Sequence, residues 1–115
     1  MATIEELLTA LKTFDKDYGI DWSNVQADEL LDALQYGIVA LAGEVGECAN
    51  IVKKMMRDKI KTGTYDTAMI EPIKEELIDV FIYVLKAAIL LQIDIEKEYF
   101  RKMEINKKRF AKYKV

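Results

Sequence analysis

The chain has 115 residues, 51% hydrophobic and 32% charged, with one proline, five glycines, one cysteine and no histidine. This suits one helix-rich domain over residues 1–115, long enough to bury a core. The net charge of −3 gives no general case for a nucleic-acid partner, and the lone Cys48 excludes an intramolecular disulfide.

Thr3 is placed to cap a first helix, with Glu5 and Glu6 in the opening turn, where the helix dipole favours negative charge. Ile4, Leu7, Leu8, Leu11 and Phe14 keep a helical period, and Gly19 ends it. Residues 19–27 read as a connection carrying Trp22. The opening residues lack the basic and apolar regions of a secretory leader. The chain is therefore expected in the cytoplasm.

The longest periodic stretch runs from about Asp28 to Asp58. Leu34, Leu41, Cys48 and Met55 are spaced seven apart, and Ile38, Val45 and Val52 interleave four after the first three. These rows predict a seam for neighbouring helices, with Cys48 as a small buried hydrophobe. Gly37, Gly43 and Gly46 lie inside the stretch, and each costs up to about 1 kcal/mol relative to alanine. Their presence predicts close approach of a backbone or ligand.

Residues 59–70 have loop chemistry. Pro72 suits a helix's first turn, so the next helix is expected from Glu71 to Leu91. It carries one apolar stripe through Ile73, Leu77, Val80, Val84, Ala88 and Leu91, and a second through Ile78, Ile82, Leu85 and Ile89. A helix apolar on nearly all sides is buried on nearly all sides, which predicts a subunit interface. Its most apolar run, Val80 to Leu91, is 12 residues long and contains Lys86. Crossing a bilayer takes roughly 20, so no membrane partner is expected. Asp94 caps the last helix, whose inner face is Ile95, Tyr99, Met103, Asn106, Phe110 and Tyr113. From Arg101 to Lys114 it holds seven basic residues and one acidic one. The expected architecture is an all-α, oligomeric four-helix bundle.

Two helices carry the chemistry. Glu44 and Glu47 are three residues apart, as are Glu76 and Asp79. Residues at that spacing share a helix face. Each pair is expected on the shoulder of a buried stripe, so that antiparallel helices aim four carboxylates across one groove. Two unit charges about 4 Å apart repel by roughly 4 kcal/mol at an effective dielectric of 20. A divalent ion removes that cost, and oxygen-only ligands select magnesium or manganese. Magnesium in turn keeps positions for water and phosphates. A single ExxE is a common solvated pattern; the repetition on two long helices makes this one a candidate site. A di-iron centre is disfavoured, because it wants Glu-x-x-His.

The segments Leu41-Ala42-Gly43-Glu44-Val45-Gly46-Glu47, Ile51-Val52-Lys53-Lys54, Glu75-Glu76-Leu77-Ile78-Asp79-Val80 and Lys102-Met103-Glu104-Ile105-Asn106-Lys107-Lys108-Arg109-Phe110 together resemble the MazG-type nucleotide pyrophosphohydrolases. The resemblance covers roughly residues 30–110. It implies an all-α pyrophosphohydrolase, dimeric or tetrameric, that splits a nucleoside triphosphate into monophosphate and pyrophosphate with magnesium. Glu44, Glu47, Glu76 and Asp79 would hold the metal, with Glu44 or Glu47 as general base. Lys54, Lys102, Asn106 and Arg109 would meet the phosphates. Trp22 is the candidate for stacking on the base, ahead of Phe14, Tyr18 and Tyr36, for all of which core packing is the commoner fate. The other reading is a catalytically silent helical dimer that binds nucleotide or a protein partner on the same scaffold.

Overall fold

A computed structural model describes residues 1–115. Four α-helices account for most of the chain: α1 (Ile4–Asp17), α2 (Leu30–Thr62), α3 (Ile70–Leu90) and α4 (Ile95–Arg109). Short 3₁₀ turns at Ala27–Glu29, Thr67–Met69 and Ala111–Tyr113 sit beside them, and there is no strand. No helix is long and apolar enough to cross a membrane.

The helix ends follow local chemistry. Thr3 accepts a hydrogen bond from the Glu6 amide at the start of α1, and Asp94 accepts one from Lys97 at the start of α4. The second helix runs four residues beyond the expected Asp58. It stops at Gly63, whose φ of 81° is the left-handed conformation that glycine adopts without strain. The basic residues Lys59 and Lys61 in its last turn suit the negative end of the dipole. Residues 59–62 are therefore helix rather than loop.

The packing centre is the pair α2 and α3. Leu41 shares a crevice with Val84 and Ala88, and Met55 shares another with Ile70 and Ile73, so the two helices run antiparallel. On α2 the row Leu34, Leu41, Cys48, Met55 is half-buried, as the heptad spacing predicts, and Cys48 is a free thiol there. Ile38, Val45 and Val52 are exposed instead. On α3 only the last turns, Leu85, Lys86, Ala88 and Leu90, are buried. Leu77, Ile78 and Phe81 face out of the chain, and Val84 is exposed at the edge of its crevice.

The four helices do not close into a bundle within one chain. The last helix barely touches the others beyond its first turn. The radius of gyration is 18.0 Å, where a compact chain of this length has about 13 Å. The exposed surface is 9270 Å², some 2,900 Å² above the roughly 6,400 Å² of a compact monomer of this mass.

One buried interaction ties α1 to this frame. The inner row of α1 is Ile4, Leu8, Leu11 and Asp15, while Leu7 and Phe14 are exposed. Asp15 is 4% exposed and meets Lys86 of α3, itself 7% exposed, at 3.3 Å. Removing one partner of such a pair leaves a charge uncompensated away from water, at about 3–5 kcal/mol. Asp15→Ala should therefore lower stability to urea by about that amount. The double variant Asp15→Leu/Lys86→Met should regain most of it. A single-variant loss within experimental error of zero would show that the pair does not anchor α1.

Candidate metal centre

Glu44 and Glu76 lie closer to the α2/α3 seam than the shoulder positions expected for them. The inner row of α2 runs Leu34, Gly37, Leu41, Glu44, Cys48, and that of α3 runs Ile73, Glu76, Val80, Tyr83; all are at least half-buried. Carboxylates thus stand where the helical repeat places apolar contacts. Glu47, one turn on from Glu44, is exposed and reaches in from the edge. Glu44, Glu47 and Glu76 each offer an oxygen, all within 4.8 Å of one another. Three acidic residues so placed could hold a metal ion, and an all-oxygen donor set suits a hard cation. Asp79 lies one turn beyond Glu76 on α3, exposed and outside this cluster.

The electrostatics show what the cluster lacks. Glu76 Oε2 is buried with no hydrogen-bond partner. Its carboxyl pKa is raised from 4.5 to about 7, first by desolvation, then by the Glu47 carboxylate beside it, with Glu44 adding to the effect. No ion pair in the chain reaches any of the four carboxylates. A proton on Glu76 relieves the repulsion.

About two turns along the seam from the cluster, some 10–12 Å, lies a cleft of about 620 Å³, walled by Trp22, Tyr36 and Tyr83 with Asp21, Asp32 and Lys86 around them. Trp22 is held on three sides. Its ring abuts Gly37 so closely that a Cβ there would stand 2.9 Å from it; it meets Tyr36 edge-on at 6.2 Å; and Lys86 Nζ lies 4.7 Å from its centroid. The close approach that the glycines predict is therefore real at Gly37, where it accommodates an indole. At Gly43 and Gly46 a Cβ would meet nothing within 4 Å in this chain. Tyr83 links cleft and cluster. Burial holds its hydroxyl above the usual pKa, with the charges of Tyr36, Glu44 and Asp79 pushing the same way. Asp21 at the rim is held below the usual carboxylate range by hydrogen bonds from the Ser23 hydroxyl at 2.6 Å and the Ser23 amide at 3.0 Å.

The expected phosphate contacts are not gathered at the site by one chain. Lys54 is exposed on α2, about 10 Å along the axis from Glu47. Lys102 and Arg109 are exposed on α4 and Asn106 is half-buried there; the Arg109 guanidinium lies over the Phe110 ring at 4.6 Å. The sequence reading missed the Asp15–Lys86 pair under Trp22. Its signals are a charge on the Ile4/Leu8/Leu11 row and a lysine inside the most apolar run. Compared with family models, with curated proteins and with solved structures, the chain matches none.

The raised pKa of Glu76 has a stability consequence. Between pH 4.5 and about 7 the folded chain keeps a proton that the unfolded chain has released. Stability of the ion-free protein should thus fall as pH rises through that window and level off above it. Glu76→Gln should flatten that part of the profile, and millimolar magnesium should raise the melting temperature most above pH 7. A flat wild-type profile from pH 4.5 to 7 would show that Glu76 is not strained by its neighbours.

Proposed function

We propose that the chain is a magnesium-dependent nucleoside triphosphate pyrophosphohydrolase of the MazG-like, all-α kind. It would convert a ribo- or deoxyribonucleoside triphosphate to the monophosphate and pyrophosphate, as a cytoplasmic homodimer or homotetramer serving nucleotide-pool housekeeping. The observation that carries this reading is the buried, unpartnered Glu76 Oε2 in the cluster with Glu44 and Glu47, with an aromatic cleft of about 620 Å³ about two turns further along the seam. Pockets for small ligands span roughly 300–1,000 Å³, and a nucleoside fits that range.

Glu44, Glu47 and Glu76, with Asp79 one turn further along α3, would hold magnesium or manganese. When bound, the ion neutralises phosphate oxygens and acidifies a water for in-line attack. The protein's own groups do the rest. Glu47, the member open to solvent, or Glu44 behind it, accepts the proton of the attacking water. The water oxygen bonds to a phosphorus flanking the α,β-bridging oxygen as that phosphorus's bond to the bridge breaks, and monophosphate and pyrophosphate separate. Trp22 and Tyr36 offer faces to the base, and Tyr83 and Lys86 of α3 wall one side of the cleft. Lys54, Lys102, Asn106 and Arg109 supply donors to the phosphates, with the arginine fork suited to two oxygens at once.

Pyrophosphate release measured over a panel of ribo- and deoxyribonucleoside triphosphates with magnesium should show turnover that a chelator removes. Glu47→Gln and Asp79→Asn should each lower it by at least ~10²-fold, with the helical circular dichroism unchanged. Magnesium binding without hydrolysis of any triphosphate would sink the enzyme and leave the silent helical dimer as the better reading.

A further inference from the structure

The aromatic cleft has an unbalanced set of polar groups. Three carboxylates line it, Asp21, Glu29 and Asp32, against a single ammonium, that of Lys86. The ammonium is already engaged: Lys86 is 7% exposed, lies 3.3 Å from Asp15 and stands over the rings of Trp22 and Tyr83. Lys12 and Lys16 act on Asp21 through space without lining the cleft. None of the three carboxylates is in an ion pair. An ionised carboxylate only accepts hydrogen bonds, whereas the hydroxyls of Tyr36 and Tyr83 can donate or accept and so do not choose.

Two of the carboxylates are placed beside the aromatic walls. Asp32 precedes Tyr36 by one turn of α2 and shares its face. Asp21 adjoins Trp22 in the chain and is half-buried. The Ser23 amide donates to its Oδ1 at 3.0 Å and the Ser23 hydroxyl to its Oδ2 at 2.6 Å. These bonds fix the direction of the carboxyl and favour its ionised form. Each oxygen keeps a further lone pair for a ligand. Glu29, exposed just before α2, adds negative charge at the rim.

A planar ring in this cleft meets aromatic faces above and below, and fixed acceptors at its edge. An exocyclic amino group brings N–H donors to those acceptors. A carbonyl at the same ring position sets acceptor against acceptor and leaves the carboxylate unpaired, which is the costlier error. Cytosine and uracil differ by this exchange, as do adenine and hypoxanthine.

We propose that the cleft selects a ring with an exocyclic amino group, so that cytosine and adenine nucleotides are preferred, with Asp21 and Asp32 as the specificity-determining acceptors. That the ring belongs to a nucleotide rests on the pyrophosphohydrolase reading. The preference for an amino over a carbonyl edge rests on the lining of the cleft alone.

Trp22 is the only tryptophan, so its fluorescence reports a ring entering the cleft. The wild-type protein with magnesium is titrated with the α,β-methylene analogues of cytidine, uridine, adenosine and inosine triphosphate, which cannot be hydrolysed at that bridge. The cytidine analogue should bind about 10–100-fold more tightly than the uridine one, and the adenosine analogue should exceed the inosine one by a similar factor. Asp32→Asn replaces an acceptor by an amide that can also donate, and should bring both ratios towards one. Asp21→Asn should do the same; Asp32→Asn, at an exposed helical position, keeps the test decisive if the Ser23 turn is disturbed. Equal affinities in the wild type, no response to any of the four analogues, or ratios unchanged in both variants overturn the proposal. Pyrophosphate release from the ordinary triphosphates is measured separately. Absent hydrolysis with the ratios intact removes the proposed function and leaves the selectivity, while hydrolysis with equal affinities does the reverse.

Discussion

Between α2 and α3, Glu44 and Glu76 occupy seam positions that the helical repeat would otherwise give to apolar side chains. Everything around them follows from the cost of keeping like charges close and partly dry. The helices must be rigid and well packed on either side, and Leu41 with Cys48 flank Glu44 along one row while Ile73 and Val80 flank Glu76 along the other. The site is strained as built, with one oxygen unpartnered and one carboxyl reluctant to ionise. A cation held there would relieve the repulsion that the ion-free state carries.

The cleft further along the seam depends on a second buried charge. Lys86 is held by Asp15 and stands near the faces of Trp22 and Tyr83. It locks α1 to α3 and fixes one wall of the cleft in the same contact. Trp22 lies on a connection rather than a helix, and a loop aromatic is usually free to move. Here Gly37 removes the side chain that would block it, Tyr36 meets its edge and Lys86 its face. An aromatic ring on a loop has thus been given helical neighbours that hold it still.

Much of this was legible in the residues. The four helices, the caps at Thr3 and Asp94, and the role of Leu34, Leu41 and Cys48 as a packed row all follow from spacing and end chemistry. The ends of α2 and the phase of α3 did not. The loop-like residues Lys59–Thr62 stay helical because Gly63, not their own composition, ends the helix. On α3 two apolar stripes compete, and periodicity alone cannot say which row faces α2. The winning row contains Glu76 and Tyr83, which no hydrophobic count would choose. The Asp15–Lys86 pair was hidden for a related reason: 71 residues separate its members, and only the packing of α1 brings them together.

The open surface of the chain bears on the same constraint. If α4 folded back along its own hairpin, its apolar face would be buried locally, and the cations Lys102 and Arg109 would permanently satisfy the carboxylates within one chain. The cluster would then be a salt-bridge network, and a metal ion would have to displace a lysine to enter. With α4 held away from its own α2 and α3, the carboxylates stay without a cationic partner in the chain.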